Sequence, residues 1–245
     1  MSYLYLYINF FTIIIPFLFT FHPKLLFYKT WKAFIPAVIF AGIIFLAWDM
    51  YFTHLGVWGF NADYITGITI VNLPLEEVLF FFCIPYACVF TFHCLDILLL
   101  RKSFRFSDNI ITPVLIAGLT IIALFQYQKI YTLVTFLSLA ALLVFSKYYL
   151  RVQWLDKFYF VYAILLFPFL IVNGILTGTG LSSPVVWYNN TEIIGFRLWT
   201  IPVEDIFYGM LLILLNLLIY QHLKSKNTTH KKDSIITAKK LSGVQ

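Results

Sequence analysis

Residues 67–77 read GITIVNLPLEE and residues 195–205 read GFRLWTIPVED, aligned without a gap at an offset of 128. Each copy runs from a glycine through a short apolar stretch to a proline and a pair of acids. Each then opens a long run free of Asp, Glu, Lys and Arg. Phe80, Phe81 and Phe82 follow Glu77, and the next charge is Asp96; Ile206, Phe207 and Tyr208 follow Asp205, and the next is Lys224. Upstream the correspondence loosens by one residue: Val57 and Trp58 answer Val186 and Trp187, and the polar stretch around Asn61 answers Asn189 and Asn190. One motif written twice at the opening of an apolar helix indicates a chain assembled from repeated units.

The surroundings of the repeat suit hydrocarbon. Of 245 residues 61% are apolar and 11% charged, against about 45–50% and about 25% in soluble domains. Aromatic residues make up 20%, and mean hydropathy is +0.88. A soluble fold is excluded. Cys83, Cys88 and Cys94 share one apolar run and offer neither a disulfide framework nor a metal cage. Runs able to cross about 30 Å of hydrocarbon cover residues 3–21, 33–52, 75–100, 110–126, 130–149, 158–176 and 203–223. The fourth is short, and only Tyr127, Gln128 and Lys129 part it from the fifth. The first has no basic residue before it and no small-residue cleavage site after it, so it reads as a retained span.

The net charge of +6 would suit nucleic acid, but its placement points to a membrane. Lys24, Lys29 and Lys32 fall in the first loop, Arg101, Lys102 and Arg105 in the third, and Lys147, Arg151 and Lys157 around the fifth. The tail adds Lys224, Lys226, Lys231, Lys232, Lys239 and Lys240. Fifteen of the seventeen basic residues therefore lie on one side, leaving Lys129 and Arg197 on the other. Short cytoplasmic loops collect basic residues, so the expectation is a multi-pass cell-membrane protein with its N-terminus outside and its C-terminus in the cytoplasm. The tail then meets anionic lipid, and nucleic acid is not a partner. The offset carries the third span onto the seventh, an even step, so the copies point the same way about a pseudo-two-fold axis along the membrane normal. The expected fold is all-α and integral to the membrane, with about seven transmembrane helices in two parallel three-helix repeats. Residues 1–105 form the first repeat, 106–128 a linking helix, 129–223 the second repeat and 224–245 a polar basic tail.

Read alone, Pro-x-acid-acid is a helix start: proline suits the first helical position, and first-turn carboxylates complement the helix dipole. Three observations point further. The motif occurs twice, its four acids together with Asp49 are five of only eleven in the chain, and each pair borders hydrocarbon-compatible sequence. Ionisable groups in a membrane are costly, which makes them candidates for function. The candidate catalytic residues are Glu76, Glu77, Glu204, Asp205 and Asp49, the last closing the second span. Phe80, Phe81, Trp58, Trp187, Phe207 and Tyr208 are the candidate substrate contacts, although tryptophans in outer loops also serve as an interfacial belt. Asn173 ends the sixth span much as Asp49 ends the second, without matching spacing. His93 and Asp96 read as a satisfied buried histidine beside an acid. GILTGTG, residues 174–180, lacks the strand–loop–helix setting of a dinucleotide fingerprint. No cofactor or metal is expected.

A carboxyl group among apolar and aromatic side chains resists ionisation, and a second carboxyl beside it resists double ionisation further. Such a group can protonate a substrate that has no polar handle, and its conjugate base can take a proton back. Aromatic faces stabilise a cation without attacking it. These ingredients suit proton-initiated rearrangement of a lipid-soluble hydrocarbon. A proton-coupled membrane transporter would use the same ones, but it favours acids near mid-membrane in several spans, and the fourth and fifth spans hold none.

The stretches WDMYFTHLGVWGFNADYITGITIVNLPLEEVLFFFCIP, residues 48–85, and VVWYNNTEIIGFRLWTIPVEDIFYGMLLILLN, residues 185–216, resemble the repeated motifs of the lycopene cyclase domain family. These are integral-membrane cyclases of heterodimeric bacterial and fused fungal or archaeal type. The resemblance spans about residues 30 to 220 and implies both subunits of the heterodimeric form in one chain. It implies carotenoid biosynthesis, with conversion of the acyclic ψ-ends of lycopene to β-ionone rings by acid–base isomerisation without net redox change. A longer or differently ringed carotenoid is the alternative. By motif match it assigns catalysis to Glu76, Glu77, Glu204, Asp205 and Asp49. It also implies association with other carotenoid enzymes; synthesis of the carotenoid skeleton, which fungal fusions assign to a second domain, is not expected here.

Overall fold

The computed structural model describes residues 3–99 and 108–242, with side chains as far as Lys226. Arg101, Lys102, Arg105 and the expected boundary at residue 105 lie outside the described residues, as do the side chains of Lys231, Lys232, Lys239 and Lys240. Among the described residues seven α-helices carry the fold: α1 (Leu4–Phe19), α2 (Trp31–His54), α3 (Leu75–Leu98), α4 (Asp108–Phe125), α5 (Ile130–Val144), α6 (Leu155–Leu176) and α7 (Val203–Ser242). A 3₁₀ turn, Phe27–Thr30, leads into α2, and a π-helical turn, Phe145–Tyr149, continues α5.

With these turns counted, six helical segments among the described residues are long and apolar enough to cross a membrane. The seventh, α1, is shorter than the sequence suggested: sixteen residues, or about 24 Å at 1.5 Å per residue. Its last turn closes with the Thr20 N–H on the Pro16 and Phe17 carbonyls and the Thr20 hydroxyl on the Pro16 carbonyl, and the chain then turns back so that the Phe27 N–H bonds the Thr20 carbonyl. Large apolar side chains stand exposed on α1, α2, α4 and α6, among them Phe11, Ile43, Phe125 and Phe167. Water would not tolerate so broad an apolar surface, whereas lipid would. The chain is a multi-pass helical membrane protein.

Aromatic contacts fix the helix directions. Phe45 lies against both Phe81 of α3 and Tyr208 of α7, at 6.1 and 5.2 Å between ring centres. Phe34, eleven residues earlier in α2, lies against Tyr86 and Tyr220, at 5.3 and 6.5 Å. Helices α3 and α7 therefore run parallel to each other and antiparallel to α2, as a pseudo-dyad along the membrane normal requires.

The repeat extends to the loops. Strand β1 (Trp58–Phe60) precedes hairpin β2 (Thr69–Ile70)–β3 (Leu73–Pro74), and β4 (Val186–Tyr188) precedes hairpin β5 (Arg197–Leu198)–β6 (Ile201–Pro202). The hairpins match residue for residue at the offset of 128, including left-handed backbone at Gly67 and Gly195 and at the turn residues Val71 and Trp199. β1 and β4 pair antiparallel, Trp58 opposite Tyr188 and Phe60 opposite Val186, with Gly59 and Trp187 opposite each other on the pseudo-dyad. The Asn61 N–H donates to the Val185 carbonyl at 2.9 Å and the Asn189 N–H to the Val57 carbonyl at 2.8 Å. The offset of 128 therefore persists through this ribbon, and the one-residue slip read from the sequence is corrected: Val57 answers Val185, and Trp58 and Trp187 are not equivalents. Trp187 lies over Gly59, where a Cβ would come within 2.3 Å of its ring.

Candidate active site

Each hairpin delivers its proline at the mouth of a helix, and the two acids that follow lie in the first turn of α3 or α7. Within each pair the roles diverge. Glu76 is fully buried and turns back on its own loop, its Oε1 accepting the Thr66 N–H at 2.6 Å. Glu204 does the same for the Ile194 N–H at 2.7 Å, and also accepts the Thr132 hydroxyl at 2.6 Å. Thr66 and Ile194 are again 128 apart, so these two acids hold equivalent loops.

Glu77 and Asp205 face inward to a shared cavity of about 760 Å³. Asp49 joins them from α2 and accepts the Trp58 indole N–H at 2.5 Å. Glu77 accepts the Tyr5 hydroxyl. Asp205 accepts three hydrogen bonds: Tyr131 on Oδ1 at 2.7 Å, and Asn173 at 2.7 Å and Tyr188 at 2.9 Å on Oδ2. Tyr188 lies outside the membrane-spanning helices. Burial, and then the charge of Asp205, pushes its phenol well above its ordinary value, so it remains a donor.

The cavity is a long apolar slot. On α3 its wall is Glu77, Phe80, Ile84, Ala87, Cys88 and Thr91, a spacing of three and four with Cys88 beside Ala87 that keeps one helix face on the slot. From Glu77 to Thr91 this is fourteen residues, about 21 Å of helix. α6, α7 and α1 complete it, and the α1 side carries Tyr7, Phe11 and Ile15, all exposed on the outer surface. The slot is thus open toward lipid, with the acids gathered at one end.

The slot exists because the pseudo-dyad is broken. Asn72 donates to the Met50 carbonyl at 2.8 Å, and Thr200 reaches the Gly174 carbonyl at 3.3 Å, which makes α2 and α6 equivalent at an offset of 124. Val38, Ala41, Phe45, Trp48, Asp49 and Phe52 of α2 then answer Tyr162, Leu165, Phe169, Val172, Asn173 and Leu176 of α6. In α2 this face packs on α7, with Phe45 and Trp48 both against Tyr208, and of its six residues only Asp49 lines the slot, whereas in α6 all six do. The bulkier Tyr162 and Leu165 hold α6 off α3, and Pro168 removes a helical hydrogen bond midway. The start of α6 stays pinned by Lys157 to Asp96 at 2.7 Å and by Trp154 against Phe92.

Of the residues singled out from the sequence, Asp49, Glu77, Asp205, Trp58, Phe80 and Tyr208 meet at the slot. Glu76 and Glu204 do not line it. Neither do Phe81, which packs on Phe45, Trp187, which covers Gly59, or Phe207, which packs on Phe136 at 4.9 Å. His93 bonds the Leu25 carbonyl at 2.8 Å, away from the acids. Sequence reasoning missed Tyr5, Tyr131 and Tyr188. A signal existed for the first two: LYLYINF (4–10) and IYTLVTF (130–136) share Tyr and Phe at an offset of 126. Among the described residues, no group of three His, Cys, Asp or Glu is gathered to hold a metal ion.

Fold and site define a helical membrane protein of two parallel repeats around one carboxylate-ended apolar slot. A family model described as lycopene cyclase matches residues 2–95 and 128–223, the stretches on either side of α4, and the chain belongs to the lycopene cyclase family. It is a carotenoid cyclase whose substrate is a lipophilic carotenoid in the membrane. Comparison with curated proteins and with solved structures finds no match.

Proposed function

We propose that this protein converts the ψ-ends of lycopene to β-rings, giving β-carotene through the monocyclic γ-carotene. The observation that carries the reading is the gathering of Asp49, Glu77 and Asp205 at one end of an apolar slot whose side opens to lipid. Three carboxyl groups crowded in a low dielectric cannot all be charged, so the cluster holds a proton for delivery. Protonation of the terminal double bond at C2 gives a tertiary cation at C1. The C5–C6 double bond attacks it, closing the C1–C6 bond and moving the cation to C5, and loss of the C6 proton restores a C5–C6 double bond. Trp58, Phe80, Tyr131 and Tyr208 line the slot, and such faces stabilise a desolvated cation by about 2 kcal/mol each. Proton gain and loss balance, so the reaction needs no redox partner.

In this reading residues 1–105 and 129–223 act as two halves of one enzyme joined by 106–128, in the cell membrane with the acids at its outer level. Association with other carotenoid enzymes would supply the substrate. The test is expression in a lycopene-accumulating host with chromatographic identification of pigments. Lycopene should be replaced first by monocyclic and then by bicyclic product, and washed membranes should do the same without added flavin, nicotinamide or metal. Unchanged lycopene beside protein present in the membrane would overturn the reading.

A further inference from the structure

The two halves of the slot are not chemically equal. The pseudo-dyad pairs Glu77 with Asp205 and Asp49 with Asn173. The first repeat therefore presents two carboxyl groups at one end of the cavity, and the second presents a carboxyl and an amide. An amide N–H₂ can only donate, and Asn173 donates to Asp205. With Tyr131 and Tyr188 this makes three donors on the two oxygens of Asp205, one on Oδ1 and two on Oδ2, so a lone-pair site on Oδ1 stays free to take a proton. Donors of this kind stabilise a carboxylate. Glu77 takes its hydrogen bond from Tyr5 and Asp49 from Trp58, which leaves carboxyl oxygen sites able to share a proton between them.

Resting on the cyclase reading, we infer that the repeats divide the reaction: the Asp49–Glu77 pair is the acid that protonates the polyene end, and Asp205, fixed as an acceptor by Asn173, is the base that takes the ring proton. The proton leaves the pair for C2, electrons of the C2 double bond forming the new C–H bond. After ring closure the C6–H electron pair becomes the C5–C6 double bond, and the proton goes to Asp205. It then returns across the cavity to the Asp49–Glu77 pair, so each turnover leaves the protein unchanged. Asn173, Tyr131 and Tyr188 are positioning residues that act through Asp205.

The division predicts different products from different variants, because a missing acid stops the reaction before the cation and a missing base stops it after. In the lycopene-accumulating host Glu77→Gln should leave lycopene intact, its consumption reduced about 10²- to 10⁴-fold as for loss of a general acid. Asp205→Asn should still consume lycopene, but the cation must lose its proton elsewhere, from C4 or the C5 methyl, or capture water. Rings with a displaced double bond or a hydroxyl group should then appear, identified by absorption spectrum and mass. Asn173→Asp, which gives the second repeat a carboxyl pair as well, and Tyr188→Phe, which removes one donor, should shift product ratios the same way while most lycopene is still consumed. A structural role alone would lower yield without changing ring type. Intact lycopene in Asp205→Asn present at wild-type level overturns the division, as do displaced rings from Glu77→Gln. If Asp205→Asn does not reach the membrane, unchanged product ratios in both Asn173→Asp and Tyr188→Phe overturn it. A wild-type chain that leaves lycopene untouched fails the cyclase reading itself, a result separate from any of these.

Discussion

Neighbouring acids on a helix cannot share one task by position alone, because successive residues point about 100° apart around the axis. If Glu77 and Asp205 face the slot, Glu76 and Glu204 must face elsewhere, and they are used to hold the loops that carry Thr66 and Ile194. Glutamine keeps the carbonyl oxygen that such a backbone N–H needs. Glu76→Gln and Glu204→Gln should therefore retain ring formation within about tenfold of wild type. Glu204→Ala strips the Ile194 N–H of its partner and should cost about 1–3 kcal/mol, read as a lower melting temperature in detergent. Glu77→Gln, in contrast, should abolish pigment conversion at unchanged stability. The acids were legible in the sequence as two pairs, since motif and spacing record identity. Their separation into slot and loop was not, because it depends on which partners the folded loops bring to each side chain.

At the scale of whole elements, small residues decide which helices touch. Ala41 lies on the α2 face that carries Phe34 and Phe45 against Tyr220 and Tyr208 of α7, and it has no exposed surface. Ala41→Leu copies into this seam the Leu165 that occupies the equivalent place in α6. Overpacking a filled interface costs about 1–3 kcal/mol, so this variant should melt earlier, whereas Leu165→Ala only widens a cavity wall and should cost less. Equal losses from the two would contradict a sealed α2–α7 seam beside an open α3–α6 slot. The helices themselves were readable from apolar runs and from their parallel repeat. The slot was not, since α2 and α6 are both mainly apolar, with Asp49 and Asn173 near their respective ends, and differ in which groups they bury. The shortness of α1 escaped as well, because residues 17–21 are as apolar as those before them, and the turn at Thr20 is held by partners distant in sequence, the Phe27 N–H on its carbonyl and the Tyr86 hydroxyl bonded to its own.

For the molecule as a whole, fifteen basic residues on one side and two on the other predict a fixed orientation. A reporter fused after Gln245 should be active only in its cytoplasmic form, and one inserted near Ser182 only in its external form. Finding both on one face would remove the odd number of crossings. The broken dyad carries a consequence for the order of chemistry. Of two equivalent helix gaps only the one between α3 and α6 is open, so under the proposed conversion of lycopene, which has two reactive ends, both ends meet one slot. The substrate would then insert one end, react, withdraw and present the other. Ala87 lines the slot on α3, ten residues or about 15 Å along the helix from Glu77, and Ala87→Phe narrows the path without touching the acids. Both ring closures pass through that path and should slow by the same factor. For two consecutive steps slowed equally, the amount of monocyclic product at a given extent of lycopene consumption stays the same, and only the clock changes. If each repeat instead served its own end of the substrate, the variant would slow one closure alone, and monocyclic pigment would accumulate well above its wild-type proportion. Time courses of acyclic, monocyclic and bicyclic pigment, plotted against lycopene consumed, should superimpose for wild type and Ala87→Phe. A curve with raised monocyclic pigment would rule out the single shared slot.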